Sequence, residues 1–169
     1  MLSDAMRNRV QYIDVLVVGA GPAGMAAAIA AREAGVENLL VLEREEHMGG
    51  ILRQCIHNGF GLHRFQEELT GPEYAQRDID KVKELGIEVR CGTTVLSIDE
   101  NRFVTAISKE KGVQLFEAGA VVLAMGCRER PRGALGTPGT RCAGVYSGPH
   151  FFLGRSRWQQ SAGYRCFYQ

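Results

Sequence analysis

The chain has 169 residues, 45% of them hydrophobic and 23% charged, with a formal net charge of +1. That length suits one domain with a real core, and the balance is that of an ordinary globular protein. The near-zero charge gives no bulk attraction to nucleic acid or to an acidic membrane, and no apolar run approaches the roughly 20 residues needed to cross a bilayer.

The N-terminal stretch MLSDAMRNRVQYID is polar where a signal peptide would need an apolar centre. The expectation is a cytoplasmic protein with residues 1–11 as an N-terminal extension. Ile13–Val18 is a continuous apolar run, as in a strand buried on both faces of a parallel sheet. Gly19 closes it, and Pro22 suits the first turn of a helix, where its missing N–H costs nothing. Met25–Ala34 is an Ala-rich helix former stopped by Gly35, and Leu39–Leu42 follows as a second strand. These elements make one βαβ unit.

Further on, the spacing predicts a helix over Pro72–Leu85 with Ile79, Val82 and Leu85 on one face. Gly86 ends it, and Ile87–Arg90 reads as a third strand. Thr94–Ile98, Phe103–Ser108 and Val113–Glu117 are short strands joined by tight polar turns, which predicts an antiparallel meander. Ala120–Ala124 reads as a further buried, parallel-type strand. From Val145 to Gln169 there is no Asp, Glu or Lys, yet the segment holds seven aromatic residues. The five cysteines, Cys55, Cys91, Cys127, Cys142 and Cys166, are dispersed without a CxxC pair, which argues against a disulfide framework or a zinc site.

Gly19-Ala20-Gly21-Pro22-Ala23-Gly24 follows a strand and opens a helix, the context in which GxGxxG signals a dinucleotide site. Gly19 makes the turn, Gly21 lets backbone N–H groups approach a pyrophosphate, and Gly24 lets helix and strand pack closely. The helix N-terminus adds partial positive charge for the phosphates. Glu43, at the end of the second strand, stands where an acid accepts ribose hydroxyls and repels a 2′-phosphate, which favours FAD or NAD over NADP. The alternative is a Gly-rich turn with no ligand. Between FAD and NAD, the Gly49-Gly50 pair, the meander and the small-residue strand end Ala124-Met125-Gly126 point to an extended ligand such as FAD.

The segments DVLVVGAGPAGMAAAIAAREAG, LEREEHMGGILRQCIHNGFG and VVLAMGCRERPRGALGTPG resemble flavoproteins with two dinucleotide-binding domains. These form the pyridine nucleotide-disulfide oxidoreductase and thioredoxin reductase-like superfamily. The GGILRQCIHNGFGLHRFQEELTGPEYAQR segment looks like a narrower bacterial group of NAD(P)/FAD-dependent oxidoreductases, related to flavin subunits of opine and sarcosine-type oxidases and of cyanide synthase. The resemblance covers Tyr12–Tyr146. It implies a Rossmann-like, three-layer FAD-binding fold over residues 12–146, incomplete as a domain, with a parallel sheet and a meander.

It implies further that Gly19, Gly21 and Gly24 hold the FAD pyrophosphate and Glu43 the adenosine ribose. Arg44 would lie by the adenine, or be a solvated arginine. Gly49 and Gly50 would pass beneath the ribityl and flavin side, and Val95 would offer backbone contacts to adenine. Ala124 and Gly126 correspond to the family's ATG strand end, with Met125 in place of the usual threonine.

Two reactive side chains come into question. Cys55 stands where disulfide reductases carry a redox cysteine pair, but no second cysteine follows, so it reads as a small buried residue near the flavin. His57 could donate to flavin or substrate, or be a packed or surface histidine. His47 and His63 have no support beyond their presence. Arg128, Arg130 and Arg132 form a basic cluster suited to solvent or a neighbouring chain.

Relatives continue past TPG into a second, NAD(P)H-binding domain, yet no second GxGxxG occurs in the 169 residues. Residues 147–169 depart from the family pattern and read as an atypical tail, out-of-frame, otherwise foreign or disordered, whose Phe151, Phe152 and Trp158 would favour aggregation or a partner. The expected function is the FAD-binding portion of an NAD(P)/FAD-dependent oxidoreductase acting on an unidentified small-molecule substrate or acceptor, as a homo-oligomer or with a partner subunit, the truncated chain being inactive alone. The alternatives are a non-catalytic nucleotide-binding fragment and an NAD-dependent dehydrogenase.

Overall fold

A computed structural model of the chain describes residues 10–127, 129–130 and 145–146. The chain divides into two compact units, Met1–Met125 and Gly126–Gln169. In the first unit the elements are β1 (Val10–Val18), α1 (Pro22–Glu33), β2 (Leu39–Leu42), a 3₁₀ turn (Gly50–Gln54) and α2 (Gly71–Glu84). They continue with β3 (Glu88–Arg90), β4 (Thr93–Ile98), β5 (Phe103–Ser108) and β6 (Gly112–Leu123). In the second unit, β7 (Glu129–Arg130) pairs antiparallel with β8 (Val145–Tyr146). The proposed tail, the side chains of the 128–132 arginine cluster, Cys142 and Cys166 lie outside the described residues.

One six-stranded sheet runs in the order β3-β2-β1-β6-β5-β4. β3, β2, β1 and β6 are mutually parallel, and β6, β5 and β4 are antiparallel. The all-apolar β2 shows why a buried parallel strand reads without alternation. Leu39 and Val41 pack with Met25, Ala28, Ile29 and Val82 of the helices. Leu40 and Leu42 pack with Leu16, Val104, Ala106 and Phe116 of β1 and the meander. Both faces of β2 are covered, and the expected three-layer α/β architecture is what forms.

Helix ends follow the glycines. Gly35 (φ 96°) and Gly86 (φ 62°) adopt the left-handed conformation. Each lies in a pair of backbone bonds, Gly35 N–H to Arg32 and Val36 N–H to Ala31, then Gly86 N–H to Lys83 and Ile87 N–H to Val82. Both are Schellman closures, which satisfy carbonyls the helix leaves open.

The structure corrects two readings of the strands. Val113–Glu117 and Ala120–Ala124 are one continuous strand, β6, paired with β1 from Leu115 to Leu123 and with β5 from Gly112 to Glu117. Gly119 is no break. A Cβ there would stand 2.7 Å from the Asp14 carbonyl oxygen, so glycine lets the two strands approach where their alternation slips. Ile13 and Leu16 accordingly share the meander-side core although three residues apart, as do Ala118 and Val121. Nor is Ala120–Ala124 a buried run. Ala120 and Leu123 are exposed, because among the described residues no strand pairs with the outer edge beyond Glu117.

Candidate functional site

The C-terminal ends of β1 and β2 carry the loop that opens α1. Gly19 turns sharply (φ 104°), and its N–H donates to Leu42 O at 2.8 Å, tying the loop to β2. A Cβ on Gly19 would strike the Ala124 carbonyl, and one on Gly24 would stand 2.9 Å from the Gly19 carbonyl carbon and closer still to its oxygen. Packing therefore demands glycine at both positions. Gly21 is different: among the described residues, no atom beyond its own chain neighbours lies within 4 Å of where its Cβ would be, and its φ of −75° suits any residue. Glycine at 21 serves no internal packing and leaves the backbone at the α1 N-terminus open, which is the geometry a bulky anion needs. Pro22 occupies the first turn of α1. Ala23 is exposed beside it, and Ala20 is fully buried.

The glycine pair closes on this loop from above. Gly49 (φ 112°) donates its N–H to Ala20 O at 2.8 Å, and a Cβ on Gly50 (φ 54°) would stand 3.0 Å from Gly21 Cα. The pair is braced from behind by α2: a Cβ on Gly49 would lie 3.4 Å from Ala75 Cβ. Cys55 O accepts from Gly71 N–H at 2.8 Å.

Glu43 is buried at the end of β2. Its Oε2 accepts from Ala20 N–H at 2.6 Å and its Oε1 from Glu45 N–H at 2.9 Å. Its main chain is held as well, with N–H donating to Arg90 O and C=O accepting from Thr93 N–H. Arg44 is exposed and pairs with Glu45 at 3.1 Å. Val95 lies on β4 opposite Ala106, its side chain packed on the meander-side core, two residues beyond the Thr93 contact to Glu43. Ala124 caps the end of β6, donating to Val18 O at 2.9 Å, and Met125 follows, exposed. Gly126 (φ 70°) belongs to the second unit. Within the first unit, the structure thus brings Gly19–Gly24, Glu43, Gly49, Gly50 and Ala124 together.

Burial pushes the Cys55 thiol up, opposite to an activated nucleophile, and its Sγ lies 3.4 Å from Ile51 O. His57 is exposed, bonded through Nδ1 to Asn58 O at 2.9 Å and tilted against Phe60. His47 lines a cavity of about 300 Å³ with Met48, Arg53, Lys83 and Cys91. Among the described residues no cluster of His, Cys, Asp and Glu could hold a metal ion, and no helix is long and apolar enough to cross a membrane.

Two features had no signal in the sequence. Cys91 is close enough to Glu43 that, beside the larger effect of burial, the carboxylate helps push its thiol up. Arg64 grips the buried Asp78 of α2 with two bonds, 2.7 and 2.9 Å, and lies over the rings of Phe65 and Tyr74.

A family model described as pyridine nucleotide-disulphide oxidoreductase matches residues 13–149. The chain is 29% identical over 132 residues to a thioredoxin reductase of Listeria innocua, covering 78% of this chain and 39% of that protein. It is 31% identical over 145 residues to an opine oxidase subunit of Agrobacterium tumefaciens, covering 79% and 28%. In fold it matches a bacillithiol disulfide reductase of Bacillus cereus with a TM-score of 0.60 at 19% identity, covering 69% of this chain and 40% of that one. The chain therefore spans about two fifths of the length of the thioredoxin reductase it matches.

Proposed function

The chain belongs to the pyridine nucleotide-disulphide oxidoreductase family, and from that premise we propose that its first unit binds FAD and serves flavin-mediated electron or hydride transfer. The observation that carries the proposal is the contrast among the three loop glycines. Packing accounts for Gly19 and Gly24, while Gly21 is small with no internal reason and lies under Gly50. A diphosphate set against the α1 N-terminus supplies that reason.

In this reading the backbone of Gly19, Ala20, Gly21, Pro22, Ala23 and Gly24 frames the pyrophosphate. Glu43 meets the adenosine ribose with the lone pairs that its two backbone bonds leave free. Arg44 and the backbone at Val95 flank the adenine, and Gly49 and Gly50 admit the ribityl chain. Ala124 and Met125 lie towards the flavin. A bound flavin would supply the redox chemistry, and the residues here bind and orient it. Cys55 is a neighbour of the glycine pair rather than half of a dithiol relay.

For the whole protein we propose that a nicotinamide cofactor, held by a second domain, exchanges hydride with this flavin. The substrate or acceptor is a small molecule, and a partner protein is compatible with the likeness to one subunit of opine oxidase.

The test is the visible absorption spectrum of the purified protein, with the released cofactor identified after denaturation. The expected result is a flavin spectrum yielding FAD, from the protein as purified or after FAD is added. Binding of NADH with no uptake of FAD would replace this reading with an NAD-dependent dehydrogenase. Uptake of neither would leave a non-catalytic fragment.

A further inference from the structure

We propose that Glu43 is a positioning residue for the nucleotide phosphates, clamping the loop into its binding shape before any nucleotide arrives; this rests on the nucleotide-site reading above. Ala20 sits between the first two glycines of the loop and is gripped at both ends. Its N–H donates to Glu43 Oε2 at 2.6 Å, and its carbonyl accepts from Gly49 N–H at 2.8 Å. The other Glu43 oxygen accepts from Glu45 N–H at 2.9 Å. The clamp is itself anchored, because the Glu43 backbone bonds to Arg90 on one side and Thr93 on the other. A buried carboxylate receiving two backbone N–H groups is a strong, directional support. It also turns the Ala20 N–H away from the phosphates, leaving the free N–H groups of the first turn of α1 as their donors.

This arrangement separates the clamp from the ribose contact chemically. Two backbone donors facing one side chain are both satisfied only by a group that accepts at both ends. A glutamine presents one oxygen and one NH₂, so whichever way it lies, one backbone N–H is left facing a donor. A ribose hydroxyl both donates and accepts, so glutamine can still serve it.

The experiment measures binding of ADP and of 2′,3′-dideoxy-ADP to the full chain and to Glu43→Gln by calorimetry. The clamp predicts that Glu43→Gln weakens both ligands by the same factor, about tenfold for one lost charge-assisted bond. A loss confined to ADP overturns the clamp and leaves Glu43 a ribose ligand alone. If the unmutated chain binds neither nucleotide, the nucleotide reading fails by itself. The clamp is then decided by amide exchange of Ala20 in the nucleotide-free chain, as it is if Glu43→Gln does not fold. Protection of that amide supports the clamp, and exchange at the rate of an open loop overturns it.

Discussion

Gly24 packs so tightly on Gly19 that a Cβ on the first would stand 2.9 Å from the carbonyl carbon of the second. Neither partner can yield, since one is helix backbone and the other a turn tied to Leu42. Gly24→Ala is expected to destabilise the fold by about 2 kcal/mol or more through overpacking, lowering the melting temperature by about 2–4 °C per kcal/mol. Gly21→Ala, with open space around it, is expected to cost under about 1 kcal/mol, the penalty of alanine at an N-cap. It should nonetheless weaken FAD binding. Melting curves and FAD titrations of the two variants check this, and equal stability losses would sink the distinction drawn between the glycines.

The Arg64–Asp78 pair should behave asymmetrically. Asp78 is 2% exposed and Arg64 38%, so an orphaned arginine can swing into water while an orphaned aspartate cannot. Arg64→Ala is therefore expected to cost about 2–3 kcal/mol, below the figure for a fully buried pair because Arg64 is partly solvated. Asp78→Ala should cost less, and the double variant less than the two single losses added together. Denaturant melts of the four proteins test this. Additive losses would mean that the two side chains do not support each other.

Much of this fold is legible in the residues because its local signals agree. IDVLVV, the Pro22 start, the Gly35 stop and LLVL each carry a distinct physical cue, and all appear where expected. The β6 strand was harder, since Gly119 imitates a turn in sequence and serves close strand contact in space. Val10–Tyr12, broken by Gln11 and preceded by charged residues, gave no hint that β1 begins so early; its pairing to Leu115–Glu117 is long-range. Within the site, the loop and glycine pair are readable because glycine has few other reasons to recur at such spacing. The ties that hold Glu43, from Ala20, Glu45 and Thr93, are backbone contacts, and no residue type encodes those.

Cys55 and Cys91 should prove slow thiols. Burial raises both, with Glu43 adding to the effect at Cys91, so the thiolate is scarcer than at an ordinary cysteine, whose pKa is about 8.5. With iodoacetamide at pH 7, the exposed Cys127 is expected to react before either. Because the folded state holds these protons more tightly than the unfolded chain, their contribution to stability is full below the ordinary thiol range. It is lost as pH rises through the raised values. Alkylation of Cys55 as fast as Cys127 would restore it as a redox candidate.

The start of α2, which braces the glycine pair, should be sensitive to acid. Thr70 caps the helix: its N–H donates to Glu73 Oε2 at 2.8 Å and its hydroxyl to the same oxygen at 2.7 Å, while Glu73 N–H donates back to the hydroxyl. The bonds from the Thr70 backbone and side chain hold the Glu73 carboxyl below its usual range, with Arg77 helping. Thr70→Ala is expected to cost about 1 kcal/mol, the ordinary value of such a cap. The carboxylate's own share is present above the unfolded glutamate value and is lost as pH falls through the lower folded value. Comparing unfolding free energies of the unmutated chain and Glu73→Gln from neutral pH downwards should therefore show a gap that closes in acid. A gap independent of pH would mean that the charge plays no part and the cap works by shape alone.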